Sequence, residues 1–297
     1  MSSRRRHRYE NVDGVRIHWV ELSPLRSMSA RPPLVLLHGM NDCYRTWRHV
    51  GPRMARDRRV LIPDLPGHGL SDRPDVGYEI AWYARVMSRW LKAVGLSRCD
   101  VAGHSFGGGV AQMLLLECPE RVRRLALVAS GGLGREVSWL LRLAAMPMLV
   151  ERIGQPLMGP CTRLALRAVG HPQRPTEAVR LSAFNEREGS ARAFARTVRD
   201  VIGWNGQRKS FFDRAAEISR LPALGVFWGD ADPVIPVTHA VALDGWVEGA
   251  KVTVFPRCGH YPHQECPKAF CAAVLQFLDD PMVRPAALRP RAGEAAA

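Results

Sequence analysis

Lysine is nearly absent from this 297-residue chain, which contains only four lysines among its 42 basic residues. Arginine therefore carries most of the formal net charge of +14, and part of that charge lies in the run Arg4, Arg5, Arg6 and Arg8. A charge of this size attracts anionic partners in general. The other arginines are scattered, however, and form none of the motifs that recognise nucleic acids. We therefore expect a solvated, arginine-rich surface and no nucleic-acid partner.

Long hydrophobic runs are also absent. No apolar run approaches the roughly 20 residues that cross a bilayer, and no apolar segment follows Arg8 as it would in a secretory signal. The seven cysteines are odd in number and unevenly spaced, which argues against a disulfide framework. These absences predict a protein without a membrane span that resides in the reducing cytoplasm.

The usual sequence patterns for cofactors are missing as well. No Gly-x-Gly-x-x-Gly opens a helix, so nothing predicts a dinucleotide site. The run Cys258, His260, His263 and Cys266 contains residue types that bind zinc, but its spacing is tighter than that of the usual ligand pairs. We therefore expect neither a metal ion nor another cofactor.

Apolar strand patterns alternate with helical patterns over residues 9–132 and again over residues 213–280. Continuous apolar runs such as Leu34–Leu37 are typical of strands in the middle of a parallel sheet. Alternation of strands and helices predicts βαβ units, and hence an α/β fold with a mostly parallel sheet.

Three segments depart from this alternation. Residues 133–212 show helical patterns interrupted by prolines, which predicts a helical insertion, or cap. Residues 1–8 are basic, and residues 281–297 are rich in proline, alanine and arginine. We expect both termini to be disordered.

The chain contains a Gly-x-Ser-x-Gly pattern, from Gly103 through Ser105 to Gly107, between a strand pattern and a buried-helix pattern. This is the arrangement of a nucleophile elbow, in which a sharp turn projects a serine hydroxyl above the sheet. Small residues are needed on both sides of the serine because the strand and the helix approach each other closely there. The pattern predicts that Ser105 is a nucleophile.

A serine hydroxyl needs a base to remove its proton, a carboxylate to orient the base and donors for the oxyanion. His260 is the candidate base, with His263 as the alternative, and Asp232 is the candidate acid, with Asp230 as the alternative. All follow predicted strands, at the sheet edge where open α/β sheets bind ligands.

Oxyanion donors are expected from two backbone N–H groups, those of Met40 and Phe106. Candidates for contacts with the substrate are His38, Asn41, Tyr261 and Trp139.

Over about residues 9–278 the sequence resembles the α/β-hydrolase superfamily. The resemblance rests on five motifs in the family's order: His38-Gly39, the Asp64–Asp72 segment, the Ser105 elbow, the Gly229–Pro236 segment and Gly259-His260. It implies an α/β-hydrolase fold with an eight-stranded, mostly parallel sheet, flanking helices and a helical cap inserted after the sixth strand.

The leading functional hypothesis is a serine hydrolase that cleaves a carboxylic ester of a small hydrophobic or aromatic substrate through an acyl-enzyme. The resemblance leaves two alternatives on the same fold, a carbon–carbon (meta-cleavage-product) hydrolase and a cofactor-free perhydrolase or haloperoxidase-like enzyme. Meta-cleavage-product hydrolases usually carry Asn where this chain has His104, and Trp where it has Tyr261. A non-catalytic ligand-binding protein is the alternative of another class, and the oligomeric state stays open.

Overall fold

The computed structural model describes residues 3–25, 31–144, 150–151, 154–168, 175–218 and 220–289. Eight strands form one sheet; in chain order they are β1 Arg4–Val12, β2 Val15–Ser23, β3 Leu34–Leu37, β4 Val60–Pro63, β5 Cys99–His104, β6 Val122–Val128, β7 Ala223–Gly229 and β8 Lys251–Phe255. Their order across the sheet is β1-β2-β4-β3-β5-β6-β7-β8. The six strands from β4 to β8 in this order run parallel to one another. At one edge, β1 pairs antiparallel with β2, and β2 pairs antiparallel with β4. The predicted eight-stranded, mostly parallel sheet is confirmed.

Helices cover both faces of this sheet, which explains the continuous apolar runs in its central strands. In β3, Leu34 and Leu36 pack into one hydrophobic cluster, whereas Val35 and Leu37 pack into the other. All four side chains are fully buried. A strand that is buried on both faces has no polar face and therefore no alternation in its sequence.

The helices outside the insertion are α1 Gly51–Met54, α2 Ile80–Ala93, α3 Phe106–Glu117, α8 Thr238–Trp246, α9 Pro262–Glu265 and α10 Pro267–Asp279. Among the described residues between β6 and β7, the helices include α4 Trp139–Ala144, α5 Met158–Ala168, α6 Pro175–Asn185 and α7 Ser190–Val201. We call residues 133–212 the cap. It also contains a hairpin of two very short strands, Ile202–Gly203 and Gly206–Gln207, which the sequence did not predict.

The expectation of disordered termini is wrong for most of both segments. Residues 4–8 belong to β1, which pairs with β2 along its full length around the turn at Asp13-Gly14. At the other end, Ala287–Leu288 pairs with Val247–Glu248, and Ala286 is buried. Residues 1–2 and 290–297 lie outside the described part of the chain. Backbone pairing orders these segments although their side chains bury little apolar surface.

Within the described residues, no helix is long and apolar enough to span a membrane. All seven cysteines are free.

Candidate active site

Ser105 lies between the last residue of β5 and the first residue of α3, with φ 53° and ψ −118°. Such a backbone conformation is strained for a residue with a side chain, and it persists only where the surroundings enforce it. The backbone N–H of Ser105 donates to the Val128 carbonyl at 2.9 Å, and its carbonyl accepts from Gly131 at 3.1 Å. The end of β6 therefore holds the turn in place.

The two flanking glycines of the elbow are required by space. A Cβ atom on Gly103 would lie 2.3 Å from the Gly107 carbonyl oxygen. A Cβ atom on Gly107 would lie 2.3 Å from the His38 carbonyl oxygen. The sequence pattern thus reflects the close approach of β5, α3 and the end of β3.

His260 and Asp232 form a buried pair beyond the ends of β8 and β7. Nδ1 of His260 lies 2.8 Å from Oδ2 of Asp232, and both side chains are almost completely buried. The other carboxylate oxygen of Asp232 accepts the backbone N–H groups of Val234 and Ile235, at 2.8 and 3.0 Å. A carboxylate held in this way keeps the proton of the neutral imidazole on Nδ1 and leaves Nε2 able to accept one.

The two alternative residues occupy other positions. Asp230 is exposed, and its carboxylate is 3.4 Å from the backbone nitrogen of Cys258. His263 is fully buried, and its Nε2 lies 2.8 Å from Oγ1 of Thr46. The geometry therefore pairs Asp232 with His260, as the sequence predicts.

The loop after β3 carries the predicted oxyanion donor Met40. His38 fixes this loop: its Nε2 accepts the backbone N–H of Leu65 at 2.9 Å, so the ring proton is on Nδ1, which lies 2.7 Å from the Gly39 carbonyl oxygen. The peptide group between Gly39 and Met40 is planar, so its N–H points away from that oxygen. His38 does not line the cavity described below, and the structure assigns it to loop geometry rather than substrate contact.

Asn41, the next residue of this loop, has a positive φ of 54°. Its carbonyl oxygen accepts a hydrogen bond from Nδ2 of Asn185, at the end of α6 in the cap, at 2.9 Å. The loop is therefore fixed from the core side by His38 and from the cap side by Asn185.

A cavity of about 260 Å³ lies between the sheet and the cap. Ser105 and His260 line it, together with Met40, Phe106 and Asn41. Most of its wall is apolar and comes from both layers, including Met113, Leu141, Leu166, Leu181, Phe194 and Phe211. The cavity can hold a small apolar group next to the serine.

Two ionisable groups in the cavity wall are shifted by burial. Desolvation raises the pKa of the Asp42 carboxyl, with a smaller opposing effect from His38. Burial likewise raises the pKa of Tyr261, and the negative charges of Asp42 and Asp232 act in the same direction. Neither Asp42 nor Asn185 was found by sequence reasoning; Asp42 is adjacent to a candidate, whereas a single Asn in a helix carries no signal.

His104, the residue before Ser105, lines the cavity, and its Nε2 lies 2.8 Å from the His260 carbonyl oxygen. Trp139 was expected to contact substrate, but its side chain is 66% exposed and does not line the cavity. Its neighbours Ser138 and Leu140 line the cavity instead, because successive residues of a helix face different directions.

The Cys258–Cys266 run has other contacts. The two sulfur atoms lie 3.7 Å apart, and His260 is paired with Asp232. Over the described part of the chain, no group of three or more His, Cys, Asp or Glu side chains is arranged to hold a metal ion.

A buried His–Asp pair and a serine at a nucleophile elbow, on this sheet, define the α/β hydrolases. The family model for the alpha/beta hydrolase fold matches residues 32–266, and the chain belongs to that family. An uncharacterised protein of Mycobacterium tuberculosis is 35% identical over 265 residues, which cover 86% of this chain and 77% of that protein. The 2-hydroxymuconate semialdehyde hydrolase of a Pseudomonas species is 31% identical over 86% of this chain and 89% of its own.

Solved structures give the same fold. Cfl2 from Burkholderia cenocepacia superposes with a TM-score of 0.78 at 25% identity, covering 92% of this chain and 96% of its own. A meta-cleavage product hydrolase from Pseudomonas fluorescens has a TM-score of 0.73 at 21% identity, covering 91% and 96%.

Proposed function

We propose that the protein is a serine hydrolase that cleaves the carboxylic ester of a small hydrophobic or aromatic substrate through an acyl-enzyme. The observation that carries this proposal is the pairing of His260 with buried Asp232 beside the cavity that contains strained Ser105. A strained serine and a histidine held by a carboxylate, both lining one cavity, are the groups that acyl transfer requires.

In the proposed reaction, Nε2 of His260 takes the proton of Ser105 as Oγ attacks the ester carbonyl. The N–H groups of Met40 and Phe106 stabilise the oxyanion. His260 then protonates the leaving alcohol, which departs and leaves the acyl group on Ser105. A water molecule then attacks the acyl-enzyme carbonyl while His260 accepts its proton. The acid is released, and Ser105 regains its hydrogen from His260.

Hydrolysis of a series of p-nitrophenyl esters of increasing acyl length tests this proposal. Ser105→Ala is expected to lower kcat by a factor on the order of 10⁴ or more. A fluorophosphonate probe should label the wild type and leave Ser105→Ala unlabelled. An active Ser105→Ala variant, or a folded wild type that neither hydrolyses any ester nor takes up the probe, would refute the proposal.

Carbon–carbon bond hydrolysis is the second candidate, because the chain is 31% identical to a 2-hydroxymuconate semialdehyde hydrolase. His104 and Tyr261 argue against this candidate, because meta-cleavage-product hydrolases usually carry Asn and Trp at those two positions. Loss of the absorbance of a dienoate substrate, measured beside the ester series, distinguishes the two. A higher kcat/KM on the dienoate would favour the second candidate.

A further inference from the structure

The positive charge of the protein is concentrated in the cap. Residues 133–212 contain 13 arginines and lysines against 6 aspartates and glutamates, a net charge of +7. This is half of the total of +14, carried by about a quarter of the chain. A surface of one sign attracts surfaces of the opposite sign and concentrates them near it.

The same segment exposes large apolar side chains. Trp139, Leu140 and Leu143 of α4 are 66%, 41% and 44% exposed, and Trp204 at the tip of the cap hairpin is 72% exposed. Because α4 packs against the hairpin strand Ile202–Gly203, these four side chains lie on neighbouring elements. We call them the apolar patch. Exposed apolar side chains on neighbouring elements mark a binding surface more often than isolated ones do.

Basic side chains flank the apolar patch. Arg135 and Arg208 are exposed, and Arg142 lies on α4 itself. In the described ranges, no carboxylate is within ion-pair distance of these three arginines, whereas nearby Lys209 pairs with Asp200. Glu136, an exposed carboxylate of the same region, lies 2.8 Å from Nε2 of His239. The patch is thus flanked by three arginines that form no ion pair with a described carboxylate.

The apolar patch is continuous with the cavity. Leu140 lines the cavity and is also exposed, and the same is true of Ala165 on α5. Lys209 likewise lines the cavity and is exposed. The cavity therefore reaches the outer surface of the cap beside the patch.

We propose that the apolar patch docks on an anionic lipid surface, with its two indole side chains in the headgroup region. Tryptophan favours that region because its ring is apolar and its N–H is polar, and arginines nearby attract anionic headgroups. The association is peripheral, and it places the opening of the cavity against the lipid layer. This inference concerns binding and holds whether or not the proposed hydrolysis is correct.

Flotation of the full-length protein with lipid vesicles tests the inference. The Ser105→Ala protein is used, so that binding is measured without turnover. Vesicles of phosphatidylcholine with one quarter phosphatidylglycerol are compared with pure phosphatidylcholine, at about 50 and about 500 mM NaCl. We expect binding to the anionic vesicles at low salt, about tenfold weaker at high salt and on neutral vesicles.

The double variant Trp139→Ser/Trp204→Ser should bind the anionic vesicles about tenfold more weakly, because it loses both interfacial side chains. The matched control is Val241→Ser/Met282→Ser, which removes two side chains that are 61% and 70% exposed outside the cap and should bind like the parent. Circular dichroism and thermal unfolding establish that both variants are folded.

Three results would overturn the inference. The first is no flotation with anionic vesicles at low salt and millimolar lipid. The second is equal binding by the double tryptophan variant, which would mean attraction by charge alone. The third is a parent oligomer that dissociates in light scattering when Trp139 and Trp204 are replaced, which would make the patch a contact between copies.

Discussion

Asn185 of the cap donates one hydrogen of Nδ2 to the main-chain carbonyl oxygen of Asn41, at 2.9 Å. Its second hydrogen points to Oγ1 of Thr162 at 3.1 Å, and the Thr162 hydroxyl is committed to the Met158 carbonyl at 2.6 Å. Asn185 is almost fully buried. One cap side chain thus fixes both the backbone beside Met40 and the contact between α5 and α6.

Replacing Asn185 by Leu should lower kcat by about tenfold, because it would displace Met40, the proposed oxyanion donor, and weaken stabilisation of the transition state. KM should change little, since Leu still fills the space. The measurements are kcat from steady-state ester hydrolysis and the affinity for a boronic acid that mimics the tetrahedral intermediate. The kcat value and this affinity should fall in parallel.

Ser182→Ala, one turn earlier on the same helix and equally buried, is the control for helix packing. It should lower the unfolding temperature without affecting kcat. An Asn185→Leu variant with normal boronate affinity would contradict a positioning role.

Replacing His38 by Ala should destabilise the protein by about 3 kcal/mol and lower kcat as well. The change leaves the buried Leu65 N–H without a partner, at a cost of about 1–3 kcal/mol, and removes one of two hydrogen bonds to the Gly39 carbonyl oxygen, which still accepts the N–H of Asp42. Urea unfolding measures the free energy, and ester hydrolysis measures kcat. An unchanged kcat in the folded variant would show that the His38 ring is not needed to hold the Gly39–Met40 peptide in position.

Asp232→Asn should lower kcat by a factor on the order of 10⁴, because the amide would donate to Nδ1 of His260 and move the ring proton to Nε2. The matched control is Asp230→Asn, two residues away and exposed, for which we expect a change of less than about threefold. Kinetics of both variants on one ester decide the assignment. Similar losses in the two variants would mean that the acid is misassigned.

His68 predicts a pH dependence of stability. Burial lowers the pKa of His68 to about 3 in the folded protein, against 6.5 for an unperturbed imidazole. The unfolded chain therefore binds one more proton than the folded chain as the pH falls from 6.5 towards 3. Over that range the free energy of unfolding decreases by about 1.4 kcal/mol per pH unit from this residue alone.

The variant His68→Gln keeps a donor for the Pro66 carbonyl and cannot titrate. The free energy of unfolding of this variant is measured in urea from pH 7 to pH 4. It should fall less steeply with pH than that of the wild type, and the difference in slope should correspond to at most one proton. Parallel curves would show that His68 is already solvated in the folded state.

Much of the fold could be predicted because its signals are local. The elbow around Ser105 combines a strand, a turn and a helix within a dozen residues, and each has a distinct pattern. The buried strands ended at the candidate loops, and the sheet brings those loops together by its parallel order. Asp232 and His260 were predicted as a pair for this reason, and their catalytic roles remain our proposal.

The features that the sequence did not predict depend on contacts between residues far apart in the chain, or on which face of a helix is buried. Asn185 acts on a carbonyl group 144 positions earlier in the chain, and nothing in its own helix marks it. Trp139 is apolar, so it was expected in the cavity, but only the docking of α4 decides which face is outward. The two-residue strands after α7 are too short to produce any alternation.

The arginine run near the N-terminus lies in β1, the strand at one edge of the sheet. Residues Arg4 to Tyr9 are exposed along the outer edge of the sheet, where backbone N–H and C=O groups remain open to another strand. A second copy that approached edge to edge would bring arginines against arginines, and like charges at that spacing repel. The densest cationic stretch of the sequence thus lies where charge repulsion opposes edge-to-edge pairing of two sheets, and we expect that replacing those arginines with threonines would favour association strand by strand.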